Sequence, residues 1–350
     1  MKIGIMSMQR IINYGSYLQA FALSHIIKNL GHSVEFIDFK IEPCIKEPFV
    51  AKTAEHYYGK DKEYFFKIQE FEEKFRNEYL PELGIAERKE RTQVDTLVVG
   101  SDEVFNCLQI NPNVGYSLEL FGKDCNAKKI ISYAASCGHT TFDELISFDK
   151  HGEISELLNK FSHISVRDEN SRHFVENLSN ITPINHLDPV LVYDFSNDVI
   201  DNVDLKDYII LYGYSYNFSE EESEQIKAFA KAHKKQIVSI GTYQSCADVY
   251  IPAHPLEVLP YFKKADYVIT NTFHGTIFSI KTHTPFVSFI KKYNPQKLTD
   301  LVHRLGLEDR LLTSYNDLEE YFSKPIDFEK TDKIIEIEKE RTIEYLKEAL

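Results

Sequence analysis

The segment KIGIMSMQRIINYGSYLQAFALSHIIKNLGHSVEFIDF, residues 2–39, predicts a β-α-β unit. It opens on the apolar run Lys2–Met6, which is typical of a short buried strand. A helix is expected over about Ser16–Leu30, because apolar residues cover more than half of its circumference and Gly31 stops it. The next strand is expected at Ser33–Phe39. Two strands joined by one helix predict a parallel sheet with right-handed crossovers.

The same alternation of strands and helices continues and restarts after the polar segment 194–206. We therefore expect two α/β domains, residues 1–194 and 207–325, that face each other across a cleft. A charged, aromatic-rich helix at Lys62–Tyr79 is expected on the surface, and the charged segment 331–350 predicts a final helix. Further strands are expected at 95–99, 129–135, 163–166, 184–187, 208–212, 236–240, 267–270 and 286–289.

The composition limits the classes of protein to which the chain can belong. Its 350 residues, 43% hydrophobic and 27% charged, are typical of folded domains and exclude general disorder. The 40 Lys and Arg against 54 Asp and Glu give a net charge of −14, which argues against nucleic-acid binding. The sequence shows no bilayer-spanning apolar run, no signal peptide and no C-x-x-C pair among its five cysteines. We therefore expect a cytoplasmic protein with reduced thiols.

In open parallel sheets, ligands bind beyond the carboxyl ends of the strands. Seven polar loops follow the expected strands and are therefore expected to line one cleft between the two domains. Those loops are Asn13–Gly15, Gly100–Asp102, Ser136–Gly138 and Arg167–Asp168 in the first domain, and Gly213–Tyr214, Gly241–Thr242 and Asn271–Gly275 in the second.

The segment ADYVITNTFHGTIFSI, residues 265–280, predicts an apolar strand that runs into the start of a helix. Asn271 or Thr272 can cap that helix, which would leave backbone amides directed at the cleft. The amides expected to be free are those of Gly275, Thr276 and Ile277. A helix N-terminus binds phosphate or carboxylate readily, so an anion site is expected here.

His274 and Arg167 are the two candidate catalytic side chains. His274 at the helix opening can pair with an anion or transfer a proton, or it can simply cap the helix or bond within the core. Arg167 at the end of a strand can grip a carboxylate or phosphate with two parallel hydrogen bonds, or it can form a salt bridge to Asp168 or Glu169.

Other charged residues are also open to more than one interpretation. Asp102 and Glu103 are either acid/base groups or turn residues, and Asp188-Pro189 is most simply a turn at the domain edge. Arg304 is expected on the surface of an amphipathic helix. The sequence contains no Walker-type loop, dinucleotide fingerprint, G-x-S-x-G elbow or paired metal-binding histidines. These residues alone leave the class of reaction open.

Six motifs stand in one order along the chain. They are N-Y-G at 13–15 with Leu18-Gln19 and Ala22-Leu23, V-V-G-S-D at 98–102, S-Y-A-A-S at 132–136 with Gly138, S-V-R-D at 165–168, D-P at 188–189 and T-N-T-F-H-G-T at 270–276. In this order they resemble the polysaccharide pyruvyl transferase family, over about residues 3–312. The chain departs from the family's pattern at Phe105, Thr272 and Lys297, where the family often has Trp, Ser and a nearby Arg.

The resemblance implies two Rossmann-like domains, as in the B-type glycosyltransferase fold, with the last helix packed back on the first domain. It implies transfer of a pyruvyl group from phosphoenolpyruvate to a sugar of a polysaccharide, exopolysaccharide or glycan precursor. A pyruvyl ketal forms and phosphate leaves. Phosphoenolpyruvate is the donor substrate, and no metal or other cofactor is expected. The acceptor in such pathways is often lipid-linked, which would place the reaction at the inner face of the membrane.

The resemblance also implies roles for particular residues. Arg167 and His274 match positions where the family holds phosphoenolpyruvate. From their chemistry we expect Arg167 to hold the donor carboxylate, and His274 to hold its phosphate and to serve as a general acid. The expected substrate-binding positions are Asn13, Gly15, Ser101, Asp102, Ser136, Asn271, Thr272, Gly275, Thr276 and Lys297. Two alternatives stay open: a glycosyltransferase of the same fold that uses a nucleotide sugar, and a non-catalytic protein that binds a sugar or an anion.

Overall fold

The computed structural model describes residues 1–50, 53–56, 59–85, 88, 93–214, 218–290 and 295–350. In these residues, two parallel sheets of six strands each are flanked by helices. The first sheet forms the N-terminal half and the second sheet the C-terminal half. The chain is therefore an α/β protein with two Rossmann-like halves, as the alternation of elements predicts.

The first sheet has the strand order β2-β1-β3-β4-β5-β6. Its strands are β1 (Lys2–Met6), β2 (Ser33–Phe36), β3 (Thr96–Asp102), β4 (Lys129–Ala135), β5 (Ser165–Val166) and β6 (Ile184–Asn185). Every pairing is parallel, so the carboxyl ends of all six strands meet at one edge.

The second sheet has the order β12-β11-β10-β7-β8-β9, again wholly parallel. Its strands are β7 (Tyr208–Tyr212), β8 (Gln236–Ile240), β9 (Val249–Ile251), β10 (Tyr267–Thr270), β11 (Phe286–Phe289) and β12 (Leu311–Leu312). The edge strands β9 and β12 have only three and two residues and are too short to be predicted from the sequence.

Thirteen α-helices connect or cover the strands within the described residues. They are α1 (Tyr14–Asn29), α2 (Gly59–Lys74), α3 (Leu80–Glu82), α4 (Phe142–Ser147), α5 (His151–Leu158), α6 (Glu169–Leu178), α7 (Pro189–Val192), α8 (Glu220–Ala232), α9 (Val258–Lys264), α10 (Phe273–Thr282), α11 (Pro295–Leu305), α12 (Leu318–Ser323) and α13 (Phe328–Ala349). A π-helical turn, Phe75–Tyr79, joins α2 to α3.

Helix α1 lies in the centre of the molecule. Asn13 caps it, because its side-chain oxygen accepts a hydrogen bond from the Ser16 amide at 2.7 Å. Nearly every residue of the helix is buried, which agrees with an apolar surface that covers more than half of its circumference. The Tyr14 hydroxyl donates to the carbonyl of Ala253 at 2.8 Å, so the helix also contacts the C-terminal half.

One apolar core runs through both halves of the chain. The short helix α7 packs against α1, α10 and α13 at its centre. The last helix returns to the first sheet, where the Tyr345 hydroxyl donates to the Ser132 carbonyl at 2.7 Å and Tyr133 bonds to Thr342 at 3.0 Å. These contacts hold the two halves around a shared cleft.

The prediction of a surface helix at Lys62–Tyr79 is incomplete, because one face of the segment is buried. Phe71, Phe75 and Tyr79 are buried in the central core, and Phe75 packs edge-on against Tyr17 of α1. The segment also reaches across to the C-terminal half, where Tyr79 lies 4.4 Å from the His254 ring. Its many charges occupy the outer face, while its aromatic residues join the two halves.

Candidate active site

A cavity of about 230 Å³ opens between the two halves, at the carboxyl edges of both sheets. Six of the predicted site residues line it: Asn13, Asp102, Arg167, Thr272, His274 and Lys297. They come from five separate loops and helix starts, which the parallel topology brings to one place.

Arg167 is the most deeply buried charge of this cavity, with 1% of its side chain exposed. Its Nη1 donates to Asp188 at 2.9 Å and its Nη2 donates to Asp102 at 3.1 Å. The guanidinium carbon lies 4.4 Å from the centre of the Phe273 ring, which belongs to the other half. Among the described residues, none accepts a hydrogen bond from Nε. The salt bridges therefore leave N–H groups for a ligand.

Asp188 connects Arg167 to His274. Its carboxylate is fully buried, accepts from the Val190 amide at 3.0 Å, and lies 3.5 Å from Nε2 of His274. The reading of Asp188-Pro189 as a simple turn is therefore incomplete. Asp188 does cap α7, but it also faces both candidate catalytic side chains.

Asp188 and Arg167 each stabilise the charged form of the other. Burial raises the pKa of Asp188, but His274 and Arg167 outweigh burial and hold that pKa below its usual range. Burial likewise lowers the pKa of Arg167, but Asp102 and Asp188 raise it above its ordinary value. Both groups are therefore ionised near neutral pH, and Asp188 presents a negative charge to the His274 ring.

Thr272, rather than Asn271, caps helix α10. Its hydroxyl accepts from the Gly275 amide at 3.0 Å, and its carbonyl accepts from the Thr276 amide at 3.2 Å. The expectation that these two amides are free is therefore wrong, because the cap itself occupies them. The cavity is lined instead by the side chains of Thr272, Phe273 and His274 at the start of the helix.

The remaining predicted positions lie outside the cavity lining. Ser101 and Ser136 are buried and donate to Ala134 at 3.1 Å and to Asp168 at 2.6 Å. Thr276 is buried against Ser288 at 2.7 Å, and Asn271 is buried behind the helix start. The predicted site residues that lie behind the cavity wall are Gly15, Ser101, Ser136, Asn271, Gly275 and Thr276. The structure places these six in the support of the site rather than at its surface.

Gly15 supports the site by its lack of a side chain. A Cβ at this position would overlap the ring of His274. The first turn of α1 therefore packs directly against the imidazole, which comes from the opposite half. Its place in the N-Y-G motif is explained by this contact.

Lys297 and Glu103 form an ion pair across the cleft at 2.6 Å. Burial raises the pKa of Glu103, but Lys297 and Arg167 outweigh burial and lower it from 4.5 to about 2. Because the pKa is depressed in the folded protein, the pair stabilises fully above pH 4.5. That contribution is lost as the pH falls from 4.5 toward about 2.

Replacing Glu103 with Gln is expected to make the unfolding free energy depend less on pH under acidic conditions. Between about pH 6 and about pH 3, the wild type should lose about 2 kcal/mol more unfolding free energy than the variant, because only the wild type protonates this carboxylate. Urea unfolding at both pH values measures the difference. The matched control is Glu63→Gln, which removes an exposed helix pair with Lys67 and should keep the wild-type slope. If the unfolding free energy of Glu103→Gln fell with pH as steeply as that of the wild type, the result would contradict this account.

A sequence profile of the polysaccharide pyruvyl transferase family matches residues 13–291, well over half of the chain. The chain belongs to the polysaccharide pyruvyl transferase family. A comparison with curated proteins finds no match.

Several solved structures resemble this pyruvyl transferase family member in fold. The UDP-GlcNAc 2-epimerase of Methanocaldococcus jannaschii is 12% identical, with a TM-score of 0.52 over 96% of this chain and 99% of that chain. A mutant O-GlcNAc transferase of Thermobaculum terrenum is 9% identical, with a TM-score of 0.49 over 100% of this chain and 66% of that chain. The fold is the B-type glycosyltransferase fold, as the sequence resemblance implied.

Sequence reasoning missed three residues that build the site of this pyruvyl transferase family member. Asp188 joins Arg167 to His274, and Phe273 stacks on Arg167. Arg304, expected on the surface, donates to the His186 carbonyl at 3.2 Å and to Glu338 of α13 at 2.8 Å. The D-P motif is the sequence feature that could have indicated a role for Asp188 in the site, because a turn at this position can form without an Asp.

No helix in the described ranges is long and apolar enough to cross a membrane. Across those same ranges, no group of three or more His, Cys, Asp or Glu is arranged to hold a metal ion. The expectation that the reaction needs no metal or other cofactor stays a prediction.

Proposed function

We propose that this protein transfers the pyruvyl group of phosphoenolpyruvate to two hydroxyls of a sugar, with release of phosphate. The observation that carries the proposal is the meeting of Arg167 and His274, which line a small cleft, with the buried carboxylate of Asp188 behind them, in a chain of the pyruvyl transferase family. Phosphoenolpyruvate offers a carboxylate and a phosphate close together. Such a donor needs cationic and N–H partners in one confined place.

Arg167 is proposed to bind the donor carboxylate through the N–H groups that Asp102 and Asp188 leave available. The two carboxylates and the Phe273 ring fix the plane of the guanidinium, so its donors are oriented before the ligand arrives. His274 is proposed to hold the phosphate, with its ring oriented by Asp188, whose carboxylate lies 3.5 Å from Nε2. The proposal includes no metal or other cofactor.

The chemistry proceeds in two steps whose atoms balance. A general acid, proposed to be His274, adds a proton to the methylene carbon of the enol, and C2 becomes electrophilic. One sugar hydroxyl attacks C2 and loses its proton to the site, which restores the acid. A second hydroxyl then displaces phosphate from C2, and its proton leaves with the phosphate. The products are a cyclic ketal and inorganic phosphate.

The cavity is large enough to hold this donor. The solved epimerase of similar fold was crystallised with UDP-GlcNAc and UDP, so a nucleotide-sugar enzyme is the main alternative. A nucleotide sugar is several times larger than phosphoenolpyruvate, whereas the cleft encloses about 230 Å³. Pockets for drug-sized ligands span about 300–1,000 Å³. The cleft as it stands accommodates the smaller donor.

The proposal is tested by incubating the protein with phosphoenolpyruvate labelled with ¹³C at C2 and a panel of sugars and glycosyl phosphates. The expected result is phosphate release in equal amount to a new ketal carbon, for at least one acceptor. Consumption of nucleotide sugars in the same panel, with no phosphate released from phosphoenolpyruvate, would overturn the proposal.

The reaction is proposed to occur in the cytoplasm, at the inner membrane face where the acceptor is lipid-linked.

Gly15→Ala is expected to lower kcat by about 100-fold, because the new Cβ displaces the His274 ring and misplacing a catalytic group by about 1 Å has effects of that size. Stability should change little, since Ala favours the helix by about 0.5–1 kcal/mol and offsets part of the strain. Phosphate release at saturating phosphoenolpyruvate measures the effect.

Gly152→Ala is the matched control. Gly152 lies in α5, where an added Cβ meets no atom within 4 Å. Its variant should keep the wild-type rate and be as stable or slightly more so. Equal kcat values for Gly15→Ala and Gly152→Ala would show that catalysis does not depend on the position of the His274 ring.

A further inference from the structure

Helix α11 of the C-terminal half lies against the N-terminal half along one of its faces. Lys297, Asp300 and Arg304 stand three and four positions apart, so their side chains leave the helix on the same side. Each of the three contacts the N-terminal half. Lys297 pairs with Glu103 in the wall of the cavity, whereas Asp300 and Arg304 reach backbone groups behind that wall.

Arg304 joins the carboxyl ends of two neighbouring strands. Its Nη1 donates to the carbonyl of His186 at 3.2 Å and to that of Arg167 at 3.4 Å. These carbonyls follow directly on the paired strands β6 and β5. Its Nη2 donates to Glu338 of α13 at 2.8 Å, which fixes the plane of the guanidinium. A single side chain of the C-terminal half therefore holds the strand end from which Arg167 projects.

Asp300 holds the same segment two residues further along the chain. Its carboxylate accepts a hydrogen bond from the amide of Glu169, the first residue of α6, at 2.9 Å. The first amides of a helix have no partner within the helix, so this acceptor satisfies one of them. Asp168 satisfies another, because it accepts from the Ser171 amide at 2.8 Å. The start of α6 is therefore held by both halves of the molecule.

These contacts fix the backbone end of the Arg167 side chain. One lies at the Arg167 carbonyl itself and the other at the Glu169 amide. The guanidinium end is fixed by Asp102 and Asp188, which belong to the N-terminal half. The place of the guanidinium in the cavity therefore depends on both sets of contacts, and α11 supplies the set from the opposite half.

We propose that Asp300 and Arg304 are positioning residues that hold Arg167 in place from the opposite half of the molecule. This inference rests on the proposed function, in which Arg167 binds the carboxylate of phosphoenolpyruvate. Neither Asp300 nor Arg304 is among the residues that line the cavity, so each acts through the backbone that carries Arg167. His274, the proposed phosphate partner, lies on α10 of the same half as α11. Losing either positioning residue should therefore weaken the grip on the donor carboxylate and spare that on its phosphate.

The test is calorimetric titration of phosphoenolpyruvate, and separately of inorganic phosphate, into the wild type and variants. Asp300→Ala removes the acceptor and is expected to weaken phosphoenolpyruvate binding about tenfold, with the affinity for inorganic phosphate changed by less than about twofold. Asp300→Asn keeps an oxygen for the Glu169 amide and should restore most of the affinity. Burial raises the pKa of Asp300, so an uncharged acceptor is tolerated at this position.

A second pair of variants separates the two roles of Arg304. Arg304→Met should reproduce the selective loss of phosphoenolpyruvate affinity. Glu338→Ala is the matched control, because it removes the tie between Arg304 and α13 but leaves the contacts with the two carbonyls. It should unfold at a lower urea concentration and bind phosphoenolpyruvate as the wild type does. In the Arg167→Lys background, Arg304→Met should cause no further loss, because residues that act through one contact are not additive.

Wild-type affinity for phosphoenolpyruvate in both Asp300→Ala and Arg304→Met would overturn the inference and leave the proposed function standing. Equal losses for phosphoenolpyruvate and inorganic phosphate would also overturn it, as would a loss in Arg304→Met that persists in full when Arg167 is already Lys. A wild type that binds no phosphoenolpyruvate would refute the proposed function and this inference with it. An unfolded fraction is recognised separately, because it lowers the number of sites for both ligands rather than the affinity for one.

Discussion

Arg167→Lys is expected to fold and to turn over phosphoenolpyruvate about 100- to 1,000-fold more slowly than the wild type, the usual effect of losing an oriented donor in a buried site. Lysine keeps the charge but offers one compact ammonium in place of a planar fork. It cannot bond to Asp102 and Asp188 at once and still present two parallel donors to a carboxylate. The variant should therefore lose orientation of the donor far more than it loses stability.

The measurement is kcat and KM for phosphate release, beside urea unfolding of the same proteins. Arg167→Met separates the two effects, because it leaves two buried carboxylates without a cation and should lower the unfolding free energy by about 3–5 kcal/mol. Arg172→Lys, on the surface of α6, is the matched control and should behave as the wild type. A wild-type kcat in Arg167→Lys would refute the role of Arg167 as a carboxylate clamp.

Asp188→Asn is expected to lower kcat by about 100-fold or more, with a smaller change in KM. Asn keeps the shape of the side chain, but its single oxygen can accept from only one of the two donors, Arg167 and the Val190 amide, which Asp188 binds with different oxygens. It removes the negative charge that lies 3.5 Å from Nε2 of His274, the proposed general acid. The loss should therefore appear in the chemical step and in the pH profile of kcat.

The pH dependence of stability gives an independent check on Asp188. Its pKa is depressed in the folded protein, so its carboxylate stabilises above the ordinary aspartate pKa of 3.8, and that contribution is lost as the pH falls below it. Urea unfolding of Asp188→Asn should lack this part of the acid destabilisation. A variant with the wild-type pH profile, both of kcat and of stability, would show that Asp188 only caps α7.

The fold was predictable because its signals are local. Parallel strands that are buried on both faces appear as short apolar runs, such as Thr96–Val99, and each is followed by polar residues at the same sheet edge. Five of the six predicted site residues that line one cavity follow such strands, and the sixth, Lys297, was expected from the family resemblance. The order of the motifs added the family, which no single strand or loop indicates.

The parts that were missed depend on contacts between the halves. Asp188 is near neither Arg167 nor His274 in sequence, and only the packing of α7 brings the three together. Phe71 and Phe75 pack against distant residues of α1, and Tyr79 packs against His254 of the other half, so the charged neighbours of these residues alone suggested a surface helix. The first amides of α10 looked available because the sequence does not show which oxygens of Thr272 they bind.

The most direct test of the central claim is calorimetric titration of phosphoenolpyruvate, with inorganic phosphate and UDP-GlcNAc as comparison ligands, into wild type and Arg167→Lys. The account predicts one site for phosphoenolpyruvate on the wild type, tighter than phosphate by about tenfold or more, because both ends of the donor are held. In Arg167→Lys that advantage over phosphate should disappear. Tight binding of UDP-GlcNAc with no binding of phosphoenolpyruvate would contradict the account and favour a nucleotide-sugar enzyme.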